Sequence, residues 1–385
     1  MITRDITREF HTQRKEYPIV TVIGPRQAGK TTLVRNALPE YDYVSLEHPE
    51  ARGIAEADPK AFLRQHPSPV ILDEIQRVPS LLSYLQVLTD EDPRNGQYVL
   101  TGSHQLQLRE AVAQSLAGRT GILHLLPLSI GEMRAAGIEH PTQADWIFHG
   151  FLPRVAAQKQ RPHTAYANYY QTYVERDVRQ LIHLKDATLF ERFMKLLAGR
   201  IGQLANYQSM ANDIGVDSKT IKQWLSILEA SFIVFRLPPY FENFGKRVIK
   251  SPKYYFTDTG LACFLLGIEK ASQVTRDPLL GGLFENLVVL EVLKQRYNAG
   301  SVANLYFFRD SQGLEIDLLH PSGVDLTGIE IKSAATWHPG FKKSLKRFSE
   351  RYQPLTQSLV IYDGEGVDFS DGVRALPYTE IASVF

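Results

Sequence analysis

The feature that most constrains the fold is a glycine-bearing turn that follows an apolar run near the N-terminus. The run is IVTVI, residues 19–23, and GPRQAGKTTL, residues 24–33, comes directly after it. The apolar run predicts a buried strand, and TTLVRNAL predicts a helix after the turn. Between a strand and a helix, such a turn can direct several backbone N–H groups into one concavity that binds phosphate. We therefore expect an α/β fold with a phosphate site at this turn.

The spacing Gly-x-x-x-x-Gly-Lys-Thr gives the turn the pattern of a P-loop. The glycines let the backbone wrap closely, Lys30 can reach the terminal phosphates as a positive charge, and the Thr31 hydroxyl can ligate Mg²⁺. We interpret Arg26 as a structural tie of the loop. The predicted nucleotide-binding residues are Gly24, Pro25, Arg26, Gln27, Ala28, Gly29, Lys30, Thr31 and Thr32. The alternative, a chance match in a glycine-rich turn, does not explain the strand before it and the helix after it.

Two further strand candidates end in polar residues. PVILDEIQ, residues 69–76, leads into Asp73 and Glu74, and QYVLTGSHQ, residues 97–105, ends in Thr101, Ser103 and His104. Ligands bind at the carboxyl edge of open α/β sheets, and acids at the end of a buried strand are costly unless they act there. We expect Asp73 to hold Mg²⁺ through water, Glu74 to polarise the attacking water, and Ser103 to position it or sense the γ-phosphate. The alternative is a pair of solvated acids.

Together these stretches resemble AAA+ ATPases, in which a sensor strand follows the Walker B strand. Nearly the whole chain resembles a prokaryotic family with an AAA domain followed by a DUF4143 region. The matching stretches are GPRQAGKTTL, ILDEIQRVP, YVLTGSHQLQL, SLAGRTGILHLLPLS, YVERDV, YYFTDTGLA and GGLFENLVVLEVLK. The resemblance implies ATP as ligand, Mg²⁺ as cofactor and hydrolysis of the γ-phosphate. It also marks YVERDV, where we interpret Arg176 and Asp177 as a buried pair that fixes helices.

Arg119 ends the SLAGR stretch, after a predicted helix and before a predicted strand. An arginine placed there can act as a catalytic finger on the γ-phosphate of its own chain or of a neighbouring subunit. The second case implies a homo-oligomer. An arginine at a helix C-terminus also complements the helix dipole without any catalytic role. The sequence leaves these interpretations open.

The order of elements predicts an α/β protein. Strands near residues 18–23, 41–46, 69–73, 97–101 and 121–126 alternate with helices, which is typical of a doubly wound parallel sheet. At 385 residues the chain is long enough for two or three domains. We expect an AAA+ P-loop ATPase core over 1–150, a helical lid and winged-helix domain over 151–275, and a PD-(D/E)xK restriction-endonuclease-like domain over 276–385.

Residues 206–240 contain a helix, a glycine turn at Gly215 and a second helix, which is the pattern of a helix-turn-helix. Two flanking strands complete a predicted winged helix. The second helix begins with Lys219, Lys222 and Gln223, and the wing carries Lys246, Arg247, Lys250 and Lys253. These cations can neutralise DNA phosphates. The alternative is a packing or interaction module that binds no DNA.

The last part of the chain carries a second set of acids. Glu285 lies on a predicted helix, Asp317 on a strand, and Glu330 and Lys332 at alternate positions of the next strand. This order resembles the PD-(D/E)xK nuclease superfamily, in which the carboxylates would hold Mg²⁺ or Mn²⁺ and the lysine would orient water. An inactive fold that keeps this core, or a solvated charged edge, are the alternatives.

Composition limits the remaining classes. Net charge is +1, so any DNA-binding surface must be local, and the single cysteine, Cys263, excludes a disulfide framework. We expect a cytoplasmic protein without a signal peptide or membrane span. Three functions remain open: an ATPase that drives conformational change with DNA as partner, a nucleotide-gated DNA-binding or adaptor protein with negligible turnover, and a metal-dependent DNA nuclease regulated by the ATPase domain.

Overall fold

The computed structural model describes residues 2–103, 116–181, 186–240 and 249–384. Within these ranges it does not describe the side chains of residues 176, 177, 180 and 383. His104, Lys246 and Arg247, and the side chains of Arg176 and Asp177, lie outside the described residues. Contacts divide the chain into two compact units. The first contains Met1–Leu128, Ala230–Phe232 and Arg296–Ser301, and the second contains Ser129–Glu229, Ile233–Gln295 and Val302–Phe385. The domain boundaries predicted at residues 150 and 275 stay predictions.

The first unit alternates helices and strands. Its elements within the described ranges are α1 (Thr7–Glu16), β1 (Ile19–Ile23), α2 (Lys30–Ala37), β2 (Asp42–Ser45), α3 (Pro49–Ala57), α4 (Pro59–Gln65), β3 (Val70–Asp73), a 3₁₀ turn (Ile75–Arg77), α5 (Leu81–Glu91), β4 (Tyr98–Gly102) and β5 (Thr120–His124). In that part of the chain the strands form one five-stranded sheet in the order β2-β3-β4-β1-β5. Every pairing is parallel. The predicted α/β class and its parallel P-loop sheet are confirmed.

The register of this sheet brings the polar strand ends to one edge. Val22 pairs with Thr101, and Ser45 pairs with Asp73. The strands are anchored by a buried apolar core that β1, α2 and α1 share, with Phe10, Val22 and Val34 among its members. Because all these strands run in the same direction, the residues that follow β1, β3 and β4 lie together at the carboxyl edge.

Gly24 is required by the close approach of another backbone segment. A Cβ atom at this position would lie 2.0 Å from the carbonyl oxygen of Leu125. Gly29, the residue before α2, has a φ of 91° in the left-handed region. These two glycines therefore permit a tight connection between β1 and α2 that a side chain would obstruct.

The chain from Ser129 onward, most of which forms the second unit, begins with helices. Within the described residues these are α6 (Ile130–Ala135), α7 (Gln143–His149), α8 (Pro153–Gln158), α9 (Pro162–Tyr169), a π-helix (Tyr170–Val178), α10 (Arg179–Leu181), α11 (Ala187–Ala198), α12 (Tyr207–Ile214), α13 (Ser218–Ala230), α14 (Thr259–Leu265), α15 (Ala271–Val274) and α16 (Leu280–Asn298). Between α13 and α14 lie β6 (Val234–Leu237) and β7 (Lys253–Phe256), which pair antiparallel. No helix in the described ranges combines the length and the apolar character that a membrane span requires.

The helix-turn-helix pattern of the sequence is present. Gly215 ends α12 with a φ of 87°, and the Asp217 carboxylate accepts a hydrogen bond of 2.7 Å from the backbone N–H of Thr220. The glycine stops the first helix because it adopts the left-handed conformation without strain, and the aspartate caps the second. The lysines of α13 that follow this cap, Lys219 and Lys222, are exposed.

A mixed sheet completes the second unit. Its elements in the described part are β8 (Tyr306–Arg309), β9 (Glu315–Ser322), β10 (Asp325–Lys332), a 3₁₀ turn (Pro339–Lys342), α17 (Lys343–Arg351), β11 (Gln357–Tyr362), β12 (Val367–Asp368), β13 (Val373–Pro377) and a 3₁₀ turn (Tyr378–Ser383). Among those residues the strand order is β12-β13-β11-β10-β9-β8. The segment after β6 joins this sheet, because the N–H of Tyr240 donates to the carbonyl of Phe307 at 2.8 Å.

The close approach at Gly24 yields a paired prediction. Gly24→Ala should lower the chemical-denaturation midpoint, with a cost of about 1–3 kcal/mol, because its methyl group overlaps the Leu125 carbonyl. Gly53→Ala in α3 is the control, since no atom lies within 4 Å of its added Cβ. Alanine in a helix interior should stabilise that variant by about 0.5–1 kcal/mol. A Gly24→Ala protein as stable as the wild type would contradict the packing described here.

Candidate functional site

The Lys30 side chain lies within the turn between β1 and α2. It is 5% exposed, and its Nζ donates hydrogen bonds to the carbonyl oxygens of Gly24 at 3.0 Å and Pro25 at 2.9 Å. Burial lowers the pKa of Lys30 to about 8, although Glu74 and Asp73 act in the opposite direction. An ammonium group held only by carbonyls is poorly compensated in charge. The turn therefore presents a buried positive group to an anion.

Arg4 ties the turn to the rest of the first unit. Its guanidinium donates to the carbonyl of Ala28 and to that of Leu126, both at 2.7 Å. Arg26, which the sequence suggested as a structural tie, is half-buried in the turn itself, and Gln27 is exposed with a φ of 63°. The sequence of the charged N-terminal stretch did not predict this role of Arg4, because the two carbonyl partners lie 24 and 122 residues away along the chain.

Asp73 lies at the end of β3 and is surrounded by hydroxyl donors. Its Oδ2 accepts from Thr31 at 3.0 Å and from Tyr43 at 2.6 Å, and Thr101 donates to Oδ1. Burial, and then the hydrogen bond to Asp73, raise the pKa of Tyr43 above its ordinary value. A threonine hydroxyl beside a carboxylate is the oxygen donor set that Mg²⁺ prefers. Thr31 and Asp73 therefore fit the predicted metal.

Both carboxylate oxygens of Glu74 have hydrogen-bond partners. Ser103 donates to Oε1 at 2.7 Å, and the Gln76 side chain donates to Oε2. Glu74 has a φ of 59°, which is unusual for a residue with a side chain, and its N–H contacts the Thr101 hydroxyl at 3.2 Å. The structure thus brings together Glu74 and Ser103 as the sequence analysis expected. Gln76 was missed, although it follows Glu74 by two residues.

Arg119 is not brought to this site. It directly precedes β5, whose first residue pairs with Ile19 at the amino end of β1, so Arg119 lies at the opposite edge of the sheet from the turn. The five residues of β1 span about 16 Å, which is more than an arginine side chain can reach. Its guanidinium instead forms two hydrogen bonds with Asp90, at 2.6 and 2.9 Å. A finger role for Arg119 on the nucleotide of its own chain is therefore wrong.

The second unit brings its predicted acids together. The Lys332 Nζ lies 3.1 Å from Asp317 Oδ2 and 2.7 Å from Glu330 Oε2, because Glu330 and Lys332 share one face of β10 and Asp317 lies on the neighbouring β9. Burial alone would lower the pKa of Lys332, but Asp317 and Glu330 raise it above its ordinary value. Lys332 therefore stays charged between two carboxylates.

Lys253 is the residue of this cluster that sequence analysis misplaced. Its Nζ lies 2.8 Å from Glu285 Oε1 and 2.6 Å from Glu315 Oε1, and the residue is 2% exposed. Tyr255 also donates to Glu285, at 2.5 Å, and Arg309 lies 2.9 Å from Glu315. The interpretation of Lys253 as a wing cation that contacts DNA phosphate is wrong, because its ammonium is buried between carboxylates.

These groups line a cavity of about 640 Å³. Glu330 is 3% exposed, and its Oε1 has no hydrogen-bond partner in the described part of the chain. Burial, and then the nearby Asp317, raise the pKa of Glu330 well above its usual value. Across residues 2–103, 116–181, 186–240 and 249–384, no three His, Cys, Asp or Glu side chains are arranged to hold a metal ion.

Three family models match consecutive parts of the chain. Residues 16–134 match an AAA domain, residues 140–272 match a domain of unknown function, DUF8612, and residues 280–381 match a second domain of unknown function, DUF4143. The first match contains the turn, Asp73, Glu74 and Ser103. The third contains the four predicted acidic-cluster residues of the second unit.

The chain is more similar in sequence to two curated relatives than to the solved structures that it matches. The uncharacterized proteins Rv2008c of Mycobacterium tuberculosis and Mb2031c of Mycobacterium bovis are each 31% identical over 383 residues, covering 98% of this chain and 84% of theirs. A Walker-type ATPase of Pyrococcus abyssi is 14% identical with a TM-score of 0.48, covering 69% of this chain and 96% of that structure. DnaA of Aquifex aeolicus bound to AMPPCP is 12% identical with a TM-score of 0.28, covering 58% and 85%.

Both TM-scores are low, so the assignment depends on the family models and the sequence relatives. The family models follow one another along the chain with the AAA domain first and the DUF4143 region last. This order agrees with the resemblance that the sequence motifs indicated. The chain therefore belongs to the prokaryotic AAA+ ATPase family in which an AAA domain is followed by a DUF4143 region.

Proposed function

We propose that this protein binds ATP with Mg²⁺ at the turn between β1 and α2 and hydrolyses the γ-phosphate. The observation that supports this most is the meeting of three functional parts at one sheet edge. These are the buried ammonium of Lys30, the Thr31–Asp73 oxygen pair, and the Glu74 carboxylate beside Ser103. A turn that only held an anion would not need the acids, and solvated acids would not be placed beside the turn.

Each residue has a separate part in this proposal. Lys30 would exchange its contacts with the Gly24 and Pro25 carbonyls for the terminal phosphates, and the backbone N–H groups of the turn would hold the remaining phosphate oxygens. Thr31 and Asp73 would hold Mg²⁺, which neutralises charge on the phosphates when it is bound. The hydroxyls of Tyr43 and Thr101 keep the Asp73 carboxylate oriented toward this position.

Glu74 is the group that we assign to the attacking water. Each of its oxygens accepts one hydrogen bond, from Ser103 and from Gln76, and keeps a lone pair that can accept a proton from water. The two bonds would orient the carboxylate toward that water. The change at the γ-phosphate would then alter the contacts of the turn and the acids, which is the step that would drive a conformational change.

Two substitutions separate hydrolysis from simple binding. Lys30→Ala should abolish ATP binding, because it removes the buried positive charge. Glu74→Gln should keep binding and lower turnover by at least about a hundredfold, because the amide cannot accept a proton from water. Glu56→Gln, an exposed position on α3, is the matched control. Calorimetry and phosphate release measure the two quantities. A Glu74→Gln variant that keeps a substantial wild-type turnover would contradict the role of Glu74, and negligible turnover in the wild type would favour the nucleotide-gated adaptor instead.

The pKa of Lys30 gives a pH dependence with a definite sign. In the free protein the pKa is lowered to about 8, whereas bound phosphate would keep the ammonium charged. Above about pH 8, ATP binding must therefore take up a proton, and affinity should fall by up to about tenfold per pH unit. Lys30→Arg should lose this dependence, because arginine stays charged. Equal affinity of the wild type at about pH 7 and pH 9 in calorimetry would contradict the assignment.

We propose DNA as the partner of the second unit. The described part of the predicted winged helix offers Lys219, Lys222 and Gln223 as exposed residues at the start of α13, and the Lys222 ammonium lies 5.1 Å from the Tyr207 ring centre. This is where a recognition helix contacts DNA. A role for Arg119 at a neighbouring subunit, and with it a homo-oligomer, also stays a proposal, and it requires Arg119 to leave Asp90.

Salt dependence tests the DNA proposal. Binding of duplex DNA, followed by fluorescence anisotropy, should weaken steeply as salt rises, because phosphate contacts release counterions. Lys219→Ala combined with Lys222→Ala should reduce the log–log salt slope by about two. The control Lys60→Ala, an exposed lysine of α4, should leave the slope unchanged. A double variant that matches this control would indicate that α13 is a packing or interaction element.

A further inference from the structure

We propose that the Lys253 ammonium is the resident cation of the acidic cluster in the second unit, and that this cluster takes up no divalent metal. The proposal concerns Glu285, Asp317, Glu330 and Lys332, which sequence resemblance presented as a metal site, together with the newly found Lys253. It is independent of ATP hydrolysis, since none of these residues lies in the first unit.

The acidic cluster contains positive groups beside its carboxylates. The carboxylates of Glu285, Glu315, Asp317 and Glu330 line one cavity, and such a set is repulsive unless cations lie among them. Each of the four is within 3.1 Å of a lysine Nζ. Lys253 is shared by Glu285 and Glu315, and Lys332 is shared by Asp317 and Glu330. With the Arg309 guanidinium 2.9 Å from Glu315, three positive charges lie beside the four carboxylates.

Lys253 is enclosed by neighbouring parts of the second unit. Its ammonium lies 5.3 Å from the Phe307 ring centre, and Lys253 is bridged to Leu204 in the backbone. Asn286, which is 0% exposed, accepts from the Phe256 N–H at 2.7 Å and donates to its carbonyl at 2.9 Å. These two bonds hold α16 against β7, so Glu285 is positioned directly beside Lys253. The lysine is thus a built part of the site.

The Lys253 ammonium occupies the space between two carboxylates of the cluster. Its Nζ lies 2.8 Å from Glu285 Oε1 and 2.6 Å from Glu315 Oε1. A metal would therefore have to displace an ammonium group that already contacts two carboxylates.

Several carboxylate oxygens that a metal ion would need already have partners. Asp317 Oδ2 already accepts from Lys332 and from the Ile331 N–H at 2.8 Å. Glu330 Oε1 is the cluster's buried carboxylate oxygen without a hydrogen-bond partner in the described residues. Four other oxygens, Glu285 Oε1, Glu315 Oε1, Asp317 Oδ2 and Glu330 Oε2, each lie within 3.1 Å of a lysine ammonium, so a divalent metal that used them would have to displace Lys253 or Lys332. The residues present do not fit the metal that the resemblance implies.

The consequence is a clamp rather than a cleavage site. Lys253 joins β7 to α16 through Glu285 and to β9 through Glu315, so its charge connects the β6–β7 hairpin with the mixed sheet. Without a metal between Asp317 and Glu330, the cluster has no means to activate water for phosphodiester hydrolysis. The proposal therefore disfavours the metal-dependent nuclease among the three functions considered above.

Mn²⁺ binding to the full-length, nucleotide-free protein tests the proposal. Free Mn²⁺ is followed by electron paramagnetic resonance in the wild type, Glu330→Gln, Lys253→Met, and the Lys253→Met/Glu330→Gln double variant. We expect the same Mn²⁺ binding in the wild type and Glu330→Gln. Lys253→Met should gain one Mn²⁺ site, with an affinity at least about tenfold higher than that of the wild-type cluster. Adding the Glu330→Gln change should remove this site.

Two outcomes would overturn the proposal. One is a Mn²⁺ site in the wild type that Glu330→Gln abolishes, since that site would belong to the cluster. The other is a folded Lys253→Met protein that gains no Mn²⁺ site. If Lys253→Met fails to fold while Lys253→Arg folds, the clamp is supported, and the wild-type comparison with Glu330→Gln still decides whether the cluster takes metal.

Discussion

The nucleotide site depends on the parallel register of the first sheet. Strands β1, β3 and β4 have to end at the same edge for the turn, Asp73 and Ser103 to meet, and the pairing of Val22 with Thr101 achieves this alignment. A slip of one residue would move every side chain of a strand to the opposite face. The apolar core under the sheet therefore has a functional effect, since it fixes that register. The Gly24–Leu125 approach adds a second constraint, because it leaves no space for a side chain at the start of the turn.

The two units place a buried lysine in opposite electrostatic settings. In the described part of the chain the Lys30 ammonium donates to carbonyl oxygens, and burial lowers its pKa, which is the setting of a group that can bind an anion. Lys253 contacts two carboxylates, and its pKa is raised, which is the setting of a group whose charge is already used. Burial is nearly complete in both cases. The difference in chemistry therefore comes from the nearest oxygen atoms and not from the amount of buried surface.

Sequence reasoning predicted the placement of residues where that placement follows local order along the chain. The strand–turn–helix pattern predicted the parallel sheet, and the acids that end strands identified Asp73, Glu74 and their meeting with Ser103. The alternation along β10 predicted that Glu330 and Lys332 share a face. These inferences needed only strand periodicity and the rule that parallel strands end together.

Most of the failures involve contacts between distant segments. Arg4 and Tyr43 gain their roles from partners that no local pattern specifies, whereas Gln76 was missed although its partner Glu74 is two residues away. Lys253 was interpreted as a wing cation because its charge was visible in the sequence and its burial was not. Arg119 was considered as a finger because it follows a predicted helix in the sequence, whereas the edge of the sheet at which it lies depends on the pairing of β5 with β1.

Hydrogen exchange of the backbone amides tests the central claim most directly. The account predicts that ATP with Mg²⁺ slows exchange in residues 24–32 and at the strand ends 73–76 and 101–103, because the phosphates accept bonds from the turn and order the acids beside it. The same addition should leave these segments unchanged in Lys30→Ala. Exchange in residues 24–32 that does not respond to ATP and Mg²⁺ in the wild type would contradict the account.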